Sequence, residues 1–282
     1  MDSNATPAPA TVRLEDDWLD LIGKARKGHR MNQHALCSKA GISDLQWREL
    51  PDGDALASVA RALSLDARGL LMLARGEYKP DCPTIPGLIQ IPTPFPIPGF
   101  PDGTANAYLA FDPATRRAAL FDGGTEPGLI LEQIEKHTLR LEHIFITHTH
   151  HDHIGGLPTI HSMFPDVPVR AHKSELVSAC AIADGETVEI GTLKIEARHT
   201  PGHTRGGMSY IVNGLERPLA MVGDAMFAGS AGNAPDSWAE TLRMLENKIM
   251  TLPAETIICP GHGPLTTVAY EREYSPLFPN LS

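Results

Sequence analysis

Between Glu77 and Gly103 the chain carries eight prolines: Pro80, Pro83, Pro86, Pro92, Pro94, Pro96, Pro98 and Pro101. Each removes a backbone donor and fixes φ, so no helix can run through the stretch. It separates two regions of different periodicity. On its N-terminal side apolar residues recur at helical spacing: Leu14, Trp18, Leu21 and Ile22; Leu36 and Ala40; Leu56, Val59, Ala60 and Leu63; Leu70, Leu71 and Leu73. Asn32, Ser43, Asp54 and Asp66 stand where helices would start, which predicts about five short helices packed on one another. On its C-terminal side strand-like runs are expected at 107–111, 118–121, 144–147, 167–171, 187–190, 193–197, 208–212, 219–222 and 256–259. Helical segments at 127–137 and 238–252 interrupt them. This alternation predicts a mixed α/β (α+β) architecture of layered sheets covered by helices. The expected division is a disordered tail over 1–12, a helical domain over 13–78, a Pro-rich linker over 79–87 and the larger domain over 88–282.

At 282 residues with 42% hydrophobic content the chain has ample material for a buried core. No apolar run is long enough to span a bilayer and the first residues lack the order of a signal peptide, so a cytoplasmic protein without membrane contact is expected. Cys37, Cys82, Cys180 and Cys259 are scattered and read as reduced, partly buried thiols. Residues 1–80 hold 11 Lys/Arg and 11 Asp/Glu, so the whole net charge of -10 falls on residues 81–282. That acidity argues against a phosphate-backbone substrate for the larger part.

The densest chemistry lies in Thr147-His148-Thr149-His150-His151-Asp152-His153, directly after the apolar run Ile144-Phe145-Ile146. His148 and His150, two apart on extended chain, can point the same way, and the following turn can bring Asp152 and His153 alongside. A zinc-like ion takes about four ligands, so two ions require further donors. His203 after Pro201-Gly202, Asp224 after Gly223 and His262 after Pro260-Gly261 supply them, each in a turn beside an expected strand. His151 interrupts the motif and reads as a supporting or solvent-facing residue. His199 reads as part of its turn.

With these residues in place, residues 85–278 resemble the metallo-β-lactamase superfamily, specifically its glyoxalase II-like branch. His148, His150, Asp152 and His153 match its HxHxDH signature; His203, Asp224 and His262 match its later donors. The resemblance implies a four-layer αββα sandwich with the site at one edge of the two sheets. It further implies one metal on His148, His150 and His203, a second on Asp152, His153 and His262, and Asp224 bridging them. Asp122, in Phe121-Asp122-Gly123-Gly124, fits the position that hydrogen-bonds a ligand imidazole, with simple turn capping as the alternative. Two divalent ions, zinc with iron or manganese as alternatives, would share a water and lower its pKa, giving a bridging hydroxide for a thioester, ester or lactone. Asp152 would orient that water and accept its proton as the catalytic residue. Phe95 and Phe100 could line an apolar wall over the site. A mononuclear iron sulfur dioxygenase is the alternative within the superfamily.

Residues 31–53 resemble the Cro/repressor-type helix-turn-helix, with Gln33, Leu36, Ala40-Gly41-Ile42 in the turn and Ser43 opening the presumed recognition helix. That resemblance implies Gln46 and Arg48 as DNA contacts. Asp44 and Glu49 beside Arg48, and the neutral charge of the segment, favour protein contacts or a homodimer instead. The readings that stay open are a hydrolase of small acyl or thioester substrates with an accessory helical module, and a DNA-binding regulator whose larger domain senses a ligand.

Overall fold

The structure is a computed structural model that describes residues 13–51, 53–97, 100–175 and 180–279. The expected tail over 1–12 lies outside them. Five short helices come first: α1 (Trp18–Gly28), α2 (Gln33–Ala40), α3 (Asp44–Arg48), α4 (Gly53–Ala62) and α5 (Ala67–Ala74). Their starts follow capping chemistry. Asp17, Asn32, Ser43 and Asp66 each accept a backbone N–H of the first turn, and Gly41 ends α2 at φ +70°. Asp54 does not cap α4; it lies inside the first turn, which opens at Gly53.

Next come β1 (Leu88–Pro94), β2 (Thr104–Phe111), β3 (Arg117–Phe121), α6 (Pro127–Lys136), β4 (Arg140–Phe145), α7 (His151–Ile154), α8 (Leu157–Met163), β5 (Val169–Ala171) and β6 (Cys180–Ala181). The strands form one six-stranded sheet in sequence order. β1 runs through Pro92 and Pro94 because it is an edge strand, paired only with β2, and both prolines are exposed on it. The chain continues through β7 (Thr187–Ile190), β8 (Leu193–His199), β9 (Met208–Asn213), β10 (Leu219–Gly223), α9 (Trp238–Lys248), β11 (Ile257–Pro260), β12 (Thr266–Thr267) and α10 (Val268–Tyr274). This second sheet has the order β12-β11-β10-β9-β8-β7.

Side-chain alternation assigns the layers. Leu219 and Met221 of β10 join Tyr210, Phe121, Phe145 and Ala197 in the core between the sheets, whereas Ala220 and Val222 face outward. The outer face of the first sheet is covered by Ile130 and Ile134 of α6 and Leu157 and Ile160 of α8. On the outer face of the second sheet, Leu245 of α9 and Val268 of α10 share one continuous core with Leu21, Leu36, Leu56 and Leu70 of the N-terminal helices. The five helices therefore pack both on one another and on the second sheet's helical layer.

Gly69 marks a close approach of backbone to backbone. A Cβ there would meet the Tyr274 carbonyl and, at 2.7 Å, the Pro276 nitrogen, while Asp66 N–H donates to Pro276 O at 2.8 Å. Gly69→Ala is expected to destabilise the chain by about 1–3 kcal/mol through overpacking of backbone on backbone. A urea melt checks this; an unchanged midpoint would show that α5 and α10 can separate without cost.

Candidate metal centre

The parallel pairs β3–β4 and β10–β11 bring four strand ends to one edge of the sandwich. Asp122 follows β3, the His148–His153 turn follows β4, Asp224 follows β10 and His262 follows β11; His203 arrives from the turn between β8 and β9. Glycine permits the close packing. A Cβ on Gly261 would lie 2.7 Å from His153 Cε1, and Gly223, at φ +51°, backs onto Thr147.

All seven donors converge. His150 Nδ1 lies 3.1 Å from His148 Nε2 and 2.9 Å from His203 Nε2. His262 Nε2 lies 3.0 Å from Asp152 Oδ2, and His153 Nε2 lies 3.5 Å from the same oxygen. Asp224 stands between these groups: Oδ2 is 3.5, 3.6 and 3.9 Å from Nε2 of His203, His262 and His148, and Oδ1 is 3.3 Å from His153 Nε2. Three overlapping sets result: His148/His150/His203, His148/His153/Asp224 and Asp152/His153/His262.

The surroundings set the tautomers. His203 Nδ1 faces the Asn233 carbonyl at 3.2 Å and His262 Nδ1 the Thr104 carbonyl at 2.8 Å, so both must donate there. His153 Nδ1 donates to Asp122 Oδ2 at 2.9 Å. Thr147 Oγ1 donates to that same oxygen at 2.7 Å and accepts from His148 Nδ1 at 3.1 Å. Four imidazoles are thus anchored through Nδ1 and aim Nε2 inward. His153 Nε2 and Asp224 Oδ1 are buried without a hydrogen-bond partner. Facing lone pairs in a buried site are what a cation between them resolves, and the mixed imidazole and carboxylate set suits zinc, iron or manganese.

Without a cation, protons take over part of that role. Burial, with His153 beside it, holds His148 down to about 2. Burial also opposes charge on His262, yet the Asp152 hydrogen bond and the Asp224 carboxylate outweigh it and push it up to about 9. His153 is likewise raised, against burial, by Asp224 and Asp122. Metal-free protein at about pH 7.5 therefore holds protons on His153 and His262 that cation binding must expel, so uptake is expected to release up to about two protons. Calorimetry in buffers of different ionisation enthalpy reads the number; no release would contradict this charge arrangement.

A cleft of about 450 Å³ opens over the donors. Phe95, Ile97, Phe100 and Phe227 form its apolar side, and Asp152, His150, His151 and Asn233 its polar side.

A family model described as the metallo-beta-lactamase superfamily matches residues 100–179. The cytoplasmic hydroxyacylglutathione hydrolase of Arabidopsis thaliana is 33% identical over 162 residues, 55% of this chain and 62% of that protein. The chain thus spans less than two thirds of that relative. The probable metallo-hydrolase YqgX of Bacillus subtilis (strain 168) is 29% identical over 204 residues, 63% of this chain and 94% of that protein. The crystal structure of the BLEG-1 B3 metallo-beta-lactamase superposes with a TM-score of 0.57 at 28% identity, covering 68% of this chain and 99% of that one. The chain is thus similar to the metallo-β-lactamase superfamily, whose family model matches residues 100–179.

The seven donors named from the sequence meet at one point, and Asp122 hydrogen-bonds His153. His151 is exposed on the cleft rim, and His199 turns away to the Arg205 carbonyl and stacks on His172. Gln46 spends its side-chain oxygen on the N–H of Ser43 at the start of α3, while Arg48 is exposed. Sequence reading missed Glu175, which ties two ligand turns together. Its Oε2 accepts from Thr149 N and Thr149 Oγ1, between His148 and His150, and its Oε1 accepts Gly206 N beside His203. It also missed Glu15 and Lys24, which reach the cleft from the N-terminal region. None of the three sits in a motif, and only the fold brings them near the donors. Among the described residues, no helix is long and apolar enough to cross a membrane.

Proposed function

We propose that this chain is a binuclear metal-dependent hydrolase of the metallo-β-lactamase superfamily that acts on small acyl compounds, in particular thioesters, esters or lactones. The observation that carries the reading is Asp224. One carboxylate lies within 3.9 Å of four inward-facing Nε2 atoms drawn from both halves of the donor set, the placement a shared ligand requires. His148, His150 and His203 would hold one cation and Asp152, His153 and His262 the other. Two divalent cations so held supply Lewis acidity and a water acidic enough to act as a nucleophile near neutral pH.

The chain's own groups do the rest. Burial would raise the Asp152 carboxyl, but the His262 hydrogen bond and His153 more than offset it, so Asp152 stays ionised on the cleft face. It takes the proton of the attacking water and delivers it toward the leaving group. Phe95, Ile97 and Phe100 seat the apolar part of the substrate and keep bulk water from that side. The name of the plant relative supports a thioester as the first compound to test.

Elemental analysis together with a panel of thioesters, esters, lactones and phosphodiesters tests the proposal. Expected are two cations per chain and acyl turnover that a chelator abolishes and added zinc restores. One iron per chain with thiol-dependent oxygen consumption, or two cations with no acyl turnover, would overturn it.

A further inference from the structure

The Bacillus relative, matched over 94% of its own length, accounts for 63% of this chain; the remainder has no counterpart there. Part of this chain's N-terminal region nevertheless lines the cleft. Glu15 reaches it just ahead of α1, with Oε2 4.0 Å from His262 Nδ1 and a side chain 27% exposed. His262 has given that N–H to the Thr104 carbonyl, so Glu15 receives no hydrogen bond from it. Nor does Glu15 accept a hydrogen bond from any other described residue. Lys24, the nearest cation in the cleft, is committed elsewhere: Nζ lies 2.5 Å from Asp16 Oδ2 and 2.9 Å from the Ala231 carbonyl.

Glu15 is nevertheless held in position from both sides. Asp16 accepts Ser230 Oγ at 2.5 Å as well as Lys24, and the Arg13 guanidinium lies 3.7 Å over the Phe100 ring. Phe100 and Phe227 flank the same part of the cleft. The His262 ring stands between Glu15 and the donor set, because Nδ1 faces Glu15 while Nε2 faces Asp152 and Asp224. A carboxylate fixed in a half-buried wall, without a donor and screened from the cations, is an unspent acceptor for a ligand.

We propose that Glu15 receives an ammonium group on the non-reacting end of the substrate, so that the N-terminal region sets specificity for amine-bearing acyl compounds. This rests on the reading of the cleft as a hydrolytic site. 6-Aminohexanoyl, heptanoyl and adipoyl thioesters of one thiol test it, since they differ in carrying an ammonium, a methyl or a carboxylate at the far end. Wild-type protein is expected to favour the 6-aminohexanoyl compound about tenfold over the heptanoyl one in kcat/KM. Glu15→Gln should remove that advantage through KM, and Glu15→Lys should turn the preference toward the adipoyl compound. Because Glu15 accepts no hydrogen bond, both variants should keep the wild-type melting temperature and metal content. Unaltered selectivity in the variants, or an equal loss on all three compounds, would overturn the proposal. If loaded protein turns over no thioester, the hydrolase reading fails by itself. The free acids 6-aminohexanoate, heptanoate and adipate, titrated calorimetrically into loaded wild-type and Glu15→Gln protein, then decide on Glu15. Tighter 6-aminohexanoate binding that the variant loses sustains it; equal binding of 6-aminohexanoate and heptanoate overturns it.

Discussion

On the proposed binuclear hydrolytic reading, Asp224→Ala is expected to lower the metal content from two cations per chain to one or none and to reduce acyl hydrolysis about a thousandfold. The reason is its position. Its two oxygens lie 3.3 to 3.9 Å from Nε2 of His148, His153, His203 and His262, and among the described residues no other carboxylate touches both halves of the donor set. Burial disfavours its charge, yet His153, His262 and His148 hold it well below the usual carboxylate range. Alanine would leave four imidazoles, three of them buried, without that anion, so His153 would lose the partner that raises its proton affinity. The proton release on cation uptake should fall with it. Elemental analysis, hydrolysis rates and buffer-dependent calorimetry check the three consequences. Retention of two tightly held cations would show that the halves of the site are filled independently of Asp224.

Asp122→Asn should weaken cation binding about 10- to 100-fold although Asp122 need not touch a cation. It accepts three hydrogen bonds, from His153 Nδ1 at 2.9 Å, Thr147 N at 2.8 Å and Thr147 Oγ1 at 2.7 Å. Thr147 passes the constraint to His148. An asparagine has one acceptor oxygen, and its amide would oppose a donor already in place, turning His153 or Thr147 away. Asp122 also holds φ +60°, a strained value for a residue other than glycine, retained because these bonds depend on it. Losing a buried, fully bonded carboxylate should cost the metal-free fold about 3 kcal/mol. Chelator competition reads the first effect and a denaturant melt of the chelated protein the second. Unchanged affinity beside a lowered melt would make Asp122 a turn residue and no more.

Several features were readable before any coordinates because their causes are local. Asn32, Ser43 and Asp66 cap helices through atoms two or three residues away, and the prolines after Glu77 forbid helix wherever the chain goes. The runs at 107–111, 187–190 and 208–212 alternate or stay apolar as buried strands must, and β2, β7 and β9 occupy them. Less visible were β6 and β12, two residues each, and the short helices α7, α8 and α10, because elements of that length have no period to detect. β1 lies in the Pro-rich stretch and fits only as an edge strand, since its prolines satisfy an edge and break an interior strand.

The identity of the seven donors was legible because imidazoles and carboxylates crowded into turns after apolar strands have few packing explanations. Their grouping came only from the family resemblance, since nothing in the residues themselves specifies it. That Asp224 stands between His153 and His203, or that Glu175 joins the turns of His150 and His203, depends on contacts across 21 to 71 positions of sequence, made only when β3, β4, β10 and β11 align. The same holds for the N-terminal region. Its sequence shows amphipathic helices and neutral charge, and that information ends at the helix surface. Only the burial of Leu21, Leu56 and Leu70 against α9 and α10 carries Glu15 and Lys24 to the cleft. Sequence alone determined which atoms could bind a metal, because donor chemistry belongs to each residue. Tertiary structure decided which of them lie together and what else lines the cleft, because those depend on distances that long-range packing sets.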